Sequence, residues 1–174
     1  MFVAGDASGG PQYTHVAGYH AGVVIKNALF RLPSKTNYEA VPRITYTDPE
    51  LAHVGMSETQ AKEFLKKNFK ILKVNFSDND RAVAEGRSEG FLKVITSAKG
   101  RIYGASIVGQ SAGELILPWT QAIEKKQNIK MFTQVIAAYP TRSEISKGAA
   151  HEFFKPKIYS PKIRWIVRML LGKK

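Results

Sequence analysis

The side chains best suited to chemistry fall near the two ends of the sequence. Tyr139-Pro140-Thr141-Arg142-Ser143-Glu144 sets a phenol and a carboxylate in one polar loop, a pairing that suits a proton donor and its partner. The same residues also read as Tyr139 filling a core or interface position and Glu144 opening a capped helix. At the other end, Gly5-Asp6 closes the apolar run Met1-Phe2-Val3-Ala4. An Asp just past a buried strand of an α/β sheet stands where such sheets bind ligands, facing the next helix N-terminus. It equally suits a turn-capping Asp. Neither GxGxxG nor GxxxxGK[ST] occurs. The sequence has 0 Cys, which excludes a redox dithiol, a thiolate nucleophile and a Cys-ligated metal within this chain. His15, His20, His53 and His151 lack HExxH spacing, so no metal site is assigned.

Charge gives a second signal. Lys+Arg number 26 against 14 Asp+Glu, a formal +12 over 174 residues. Lys155, Lys157, Lys162, Arg164, Arg168, Lys173 and Lys174 lie beyond the last acidic residue, Glu152. After Ser160-Pro161, Ile163, Ile166, Val167, Leu170 and Leu171 share one helical side and Lys162, Arg164 and Arg168 the other, with Trp165 and Met169 flanking. Packing on its own domain or on a partner subunit, with snorkelling cations, is the weightier reading of this segment. The alternative is docking on a membrane surface or an acidic partner. No nucleic-acid partner is expected, because no recognition fold accompanies the basic tail. No apolar stretch approaches a bilayer span and no basic leader precedes one, so the default location is the cytoplasm.

These side chains need elements to hold them. Met1 to Asp6 reads as a short buried strand, followed by the loop Ala7 to Pro11 and a helix from an N-capping Thr14 to about Arg31. With no parallel neighbours in sequence, residues 1–31 are expected to end a larger α/β domain. A linker runs to Val41, and the pattern then changes. Strands are expected at Arg43–Thr47, Leu51–Gly55 and Phe69–Phe76, with a helix opened by the capping box of Ser57 and Gln60 and running to Lys66 or Lys67. Gly90–Thr96 and Arg101–Val108 form a hairpin across Ser97-Ala98-Lys99-Gly100. A helix kinked at Pro118, a short helix within 129–136 and a last helix capped by Ser143 complete the pattern. The fold class is α+β: an antiparallel sheet flanked by helices, preceded by a strand-loop-helix remnant of an α/β domain.

Three segments in order then resemble the C-terminal portion of the FAD-dependent pyridine-nucleotide disulfide oxidoreductases, the family of dihydrolipoamide dehydrogenase, glutathione reductase and mercuric reductase. They are Phe2-Val3-Ala4-Gly5-Asp6 with Gln12-Tyr13-Thr14-His15-Val16-Ala17, Thr47-Asp48-Pro49-Glu50 with Val54-Gly55 and Glu58, and Tyr139-Pro140-Thr141-Arg142-Ser143-Glu144, similar to the family's His-Pro-Thr-x-Ser-Glu. The resemblance implies that residues 1–41 are the end of an FAD-binding domain with its linker, 42–154 a dimerisation domain and 155–174 a basic tail. It implies that Asp6 binds the ribityl chain of FAD, that Gly5 allows close approach, and that Thr14 and His15 face the flavin pyrimidine edge. It implies a homodimer in which the His of the third motif, oriented by the Glu144 position, serves the other subunit's active site as acid/base. Here that position is Tyr139, whose reference pKa of about 10 makes it a poor base beside a histidine at about 6.5. Mercuric reductases are similar in having a Tyr near this position, but their terminal cysteine pair is missing. The family's redox cysteines, first FAD fingerprint and NAD(P) domain are not in this sequence. The expectation is a fragment, inactive by itself, of an enzyme passing electrons from NAD(P)H through FAD to a disulfide or related acceptor. The competing expectation is a stand-alone interaction module that docks through its tail.

Overall fold

The computed structural model describes residues 1–172; Lys173 and Lys174 of the basic tail lie outside the described residues. The chain forms two compact units that divide after Val41. In the first, α1 (Thr14–Ala28) follows a 3-10 turn at Gly5–Ser8. Helix α1 stops short of the expected Arg31, which takes a left-handed φ of 54°. The linker folds back on it through a reciprocal amide pair: Asn27 donates from Nδ2 to the Ser34 carbonyl at 2.9 Å and accepts the Ser34 N–H at 2.9 Å. Residues 1–4 differ from expectation. They form no strand, and Phe2 and Val3 are exposed. A lone extended segment with no ladder partner cannot satisfy its own backbone groups, so the apolar run stays open to solvent.

The second unit is built on a five-stranded sheet in the order β1-β2-β5-β4-β3, with β1 at Arg43–Thr45, β2 at Glu50–Gly55, β3 at Phe69–Asn75, β4 at Phe91–Ser97 and β5 at Ile102–Gly109. Every pairing is antiparallel. The β4–β5 hairpin lies at the centre, which explains its composition. Leu92, Val94 and Ile95 face a structure that buries them, and Leu92 pairs with Ile107 and Val94 with Ala105 across the ladder. On β3, Leu72 is buried and Ile71 exposed, as period-2 alternation on a half-covered strand requires.

Helices cover this sheet. The Ser57 capping box forms, with the Gln60 N–H reaching Ser57 Oγ at 3.2 Å and the Ser57 N–H reaching Gln60 Oε1 at 2.9 Å, and opens α2 (Glu58–Phe64). That helix ends before Lys66, which has φ 53°. After β3 the chain makes a 3-10 turn at Phe76–Asp78, where Phe76 was expected to end the strand, and then α3 (Asp80–Ala84), capped by Asn79 Oδ1 on the Ala82 N–H at 3.0 Å. The helix expected to kink at Pro118 is two helices, α4 (Ala112–Leu115) and α5 (Leu117–Glu124). Pro118 falls in the first turn of α5, where its missing N–H costs nothing. These pack on β2 and β5, with Trp119 fully buried and its ring 4.4 Å from that of Phe132 on α6 (Met131–Gln134). Helix α7 (Ile145–Ile158) packs on β3 and β4 through Ala149 and Phe153. The segment before α7 is capped from Thr141 rather than from Ser143. Helix α8 (Pro161–Leu170) is capped by Ser160, whose Oγ accepts the Ile163 N–H. It has no buried residue, so it does not pack into its own domain, the first of the two placements in the weightier reading.

A close backbone crossing fixes the end of β2. Gly55, at φ 77°, faces Gly104 in the β2–β5 register, and the Met56 N–H donates to the Tyr103 carbonyl at 2.9 Å. A Cβ on Gly104 would stand 2.0 Å from the Met56 carbonyl oxygen. Gly104→Ala is therefore expected to destabilise the chain by about 1–3 kcal/mol through forced backbone shift, read as a lower urea midpoint with far-UV circular dichroism of the folded form retained.

Candidate functional site

Each unit carries one group of the expected residues. In the first, the Gly5–Ser8 turn is fixed from below by His20 on α1. The Gly5 N–H donates to His20 Nδ1 at 3.0 Å, and His20 Nε2 lies 2.8 Å from Tyr38 Oη. With Nδ1 accepting, the ring carries its proton on Nε2 and donates to the tyrosine. His20 is 3% exposed, so this three-member chain has a buried polar centre and an exposed tyrosine at its outer end. Gly5 takes φ 69°, and a Cβ there would meet the Ala17 side chain at 3.2 Å, which suits glycine alone. Asp6 follows on the turn with its side chain exposed, beside the start of α1.

Thr14 was expected as the N-cap of α1 and is instead its first residue. Tyr13 holds the capping position in extended geometry, and no side chain caps the helix. The reason is the chain's approach: the Tyr13 carbonyl already accepts the Val16 and Ala17 N–H groups, each at 3.0 Å. His15 stacks on Tyr13 with ring centroids 5.1 Å apart. Gly5 and Asp6 thus stand on the turn packed against α1, whose first turn carries Thr14 and His15, and the positive end of the helix dipole favours an electronegative ligand. A polar flavin fragment fits this donor set: an exposed carboxylate on a glycine turn for hydroxyls, and helix N–H groups for carbonyl oxygens.

In the second unit, the loop from Tyr139 to Glu144 is gripped by α3 at three points. Tyr139 Oη donates to Asp80 Oδ2 at 3.0 Å, Asn79 Nδ2 donates to the Thr141 carbonyl at 3.0 Å, and Arg142 Nε donates to Glu85 Oε2 at 2.9 Å. Arg142 is 9% exposed and also donates to the Arg87 carbonyl and Gln110 Oε1. Its guanidinium sits 5.8 Å from the Phe76 ring centroid. Hydrogen bonds from Arg142 first, then Arg81, hold the Glu85 carboxyl below the usual range.

The loop does not join its two candidate residues to each other. Glu144 turns back to accept the Thr141 N–H at 3.4 Å, closing the helix start, while Tyr139 bonds Asp80. Tyr139 is 71% exposed, which removes the reading that it fills a core position. The hydrogen bond to Asp80, and then that carboxylate's charge, push the phenol above its ordinary value. The group therefore stays protonated and can donate but not accept a proton near neutrality. Asp80, Tyr139, Glu144, Lys147, His151 and Phe154 line one groove of about 650 Å³ beside α7.

Sequence reasoning missed His20, Asp80 and Arg142. His20 had a signal, since it lies four residues from Val16 on the buried side of α1. Asp80 and Arg142 had none, because their partners are 59 and 57 residues away along the chain. His53 belongs to neither site: it bridges Ser106 Oγ and the Gly55 carbonyl on the sheet, and burial pushes its ring below the ordinary value. Among the described residues, no three His, Cys, Asp or Glu side chains gather as a metal cluster.

Comparison with known proteins gives the family. Residues 41–150 match the family described as pyridine nucleotide-disulphide oxidoreductase, dimerisation domain. Mercuric reductase of Bacillus cereus is 34% identical over 159 residues, 89% of this chain and 25% of that protein. Dihydrolipoyl dehydrogenase of Geobacillus stearothermophilus is 37% identical over 153 residues, 86% of this chain and 32% of that protein. Among solved structures, LpdA from Mycobacterium tuberculosis superposes with a TM-score of 0.80 at 26% identity, covering 86% of this chain and 33% of that one. The HOCl-induced flavoprotein disulfide reductase RclA from Escherichia coli shares the fold, with a TM-score of 0.76 at 24% identity over 84% of this chain and 34% of that one. The chain spans about a quarter to a third of the length of these relatives. A five-stranded antiparallel sheet with flanking helices, matched in sequence and in structure, places the chain in the pyridine nucleotide-disulphide oxidoreductase family, of which it carries the dimerisation domain.

Proposed function

We propose that this chain is the interface portion of a homodimeric FAD-dependent oxidoreductase that passes electrons from NAD(P)H through FAD to a disulfide or related acceptor, and that alone it turns nothing over. The observation that carries this reading is the Tyr139–Glu144 loop, held by α3 with an exposed phenol at its tip, in a domain whose family is defined by dimerisation. Residues 1–41 act as the end of the FAD-binding domain, 42–154 as the interface domain and 155–174 as the tail. The absence of any Cys in the sequence supports the inactivity of the isolated chain, since a dithiol has to come from elsewhere.

Bound FAD would supply the electron relay. The chain's own residues do the rest of the work. Gly5 and Asp6 offer a glycine turn and a carboxylate to the cofactor's hydroxyl groups, and the N–H groups of Thr14 and His15 orient its electron-rich edge. Tyr139 reaches toward the partner subunit and donates a hydrogen bond to the acceptor, while Asp80 aims the phenol and Glu144 fixes the loop through the Thr141 N–H. A donor without basicity favours stabilising a developing negative charge over abstracting a proton.

Three outcomes check this. Sedimentation of the chain over rising concentration is expected to show a monomer–dimer equilibrium; a strict monomer at the highest concentration overturns the interface reading. In the whole enzyme, Tyr139→Phe is expected to lower turnover with the true acceptor by at least about tenfold, whereas an unchanged rate means that the phenol only packs. Finally, the ultraviolet difference titration between the chain and its Tyr139→Phe variant should place Tyr139 above the ordinary tyrosine value, and Asp80→Asn should bring it back down. Because the folded value is raised, any stability from this bond is complete below about pH 10 and disappears as pH climbs through the folded value.

A further inference from the structure

Helix α8 points beyond the dimer. At about 100° per residue, Ile163, Ile166, Val167, Leu170 and Leu171 form a continuous apolar arc, Lys162 borders it on one side, and Arg164 with Arg168 on the other. Ile163, Val167, Leu170 and Leu171 are exposed, as is Trp165 at 63%. No acidic residue follows Glu152, whereas seven Lys and Arg do, at 155, 157, 162, 164, 168, 173 and 174. The helix spans about 15 Å along its axis, and no helix among the described residues is long and apolar enough to cross a bilayer.

Two occupants of such an arc make opposite demands on charge. A second copy of the same tail would bring its own cations against these, without an acid in either tail to balance them. An anionic lipid surface reverses that repulsion. It takes the apolar arc into the acyl boundary and the flanking cations onto lipid phosphates. We infer that α8 is an interfacial helix that seats this chain on anionic membrane surfaces.

The test uses vesicles of phosphatidylcholine mixed with phosphatidylglycerol, against vesicles of phosphatidylcholine alone, and the whole 174-residue chain. The chain is expected to co-sediment with the mixed vesicles, to bind neutral ones at least about tenfold more weakly, and to be released as rising salt shortens the screening length. Arg164→Gln with Arg168→Gln should weaken binding by about fivefold per cation. A chain ending at Tyr159 should not bind, yet should keep its thermal unfolding midpoint and Trp119 emission, because α8 has no buried residue. Absence of binding to mixed vesicles, equal binding to neutral ones, or binding that survives the truncation each overturns the inference. So does a lipid-free dimer of the whole chain that the same truncation dissociates, since a second copy then covers the arc.

Discussion

Burial of the β4–β5 ladder is the constraint from which the rest of the second unit follows. Leu92 and Val94 on β4 and Ile107 and Ala105 on β5 share one fully buried face, tolerable only if neighbours pair both edges and helices cover that face. β2 and β3 supply the sides, and α5 and α7 lie across them. The demand extends to backbone detail: β2 can leave β5 after Gly55 only because Gly104 opposite has no side chain to block Met56. Once α7 is seated on β3 and β4, the segment ahead of it has a fixed landing point, and that segment is the Tyr139–Glu144 loop.

The loop illustrates how a short polar stretch becomes a defined tool. Three of its polar contacts are made to α3, a five-residue helix, and to the residues flanking it. What α3 lacks in burial it makes up with its two ends: Asn79 and Asp80 at the start and Glu85 at the finish each take one loop group. The deepest of these partners is Arg142, whose guanidinium is satisfied on several sides and capped by the Phe76 ring. Removing one member of such a network would leave a buried donor without an acceptor, the costly half of the hydrogen-bond ledger.

Local patterns were legible before any coordinates, and distant pairings were not. The Ser57 capping box, the Ser97–Gly100 hairpin and the alternation of β3 are each written within a few residues, where periodicity and caps act directly. The order β1-β2-β5-β4-β3 is not local, and neither spacing nor the family resemblance stated it. Residues 1–4 form no strand, since the parallel neighbours that their apolar side chains call for are not among the described residues. At the candidate site, the motif named Tyr139 and Glu144 but could not reveal that they part company, since the carboxylate that receives the phenol is supplied by Asp80. A residue type in a motif states what a group can do; only its partner decides in which protonation state it does so.

The outer strands carry a last implication. β1 is three residues long, and β3 presents Lys70 and Lys73 along its length. A stub and a row of ammonium groups are poor templates for adding a foreign strand. Copies of this domain that meet are thereby turned away from joining edge to edge, the geometry that grows without limit into fibres, and toward side-chain faces that close on themselves in pairs.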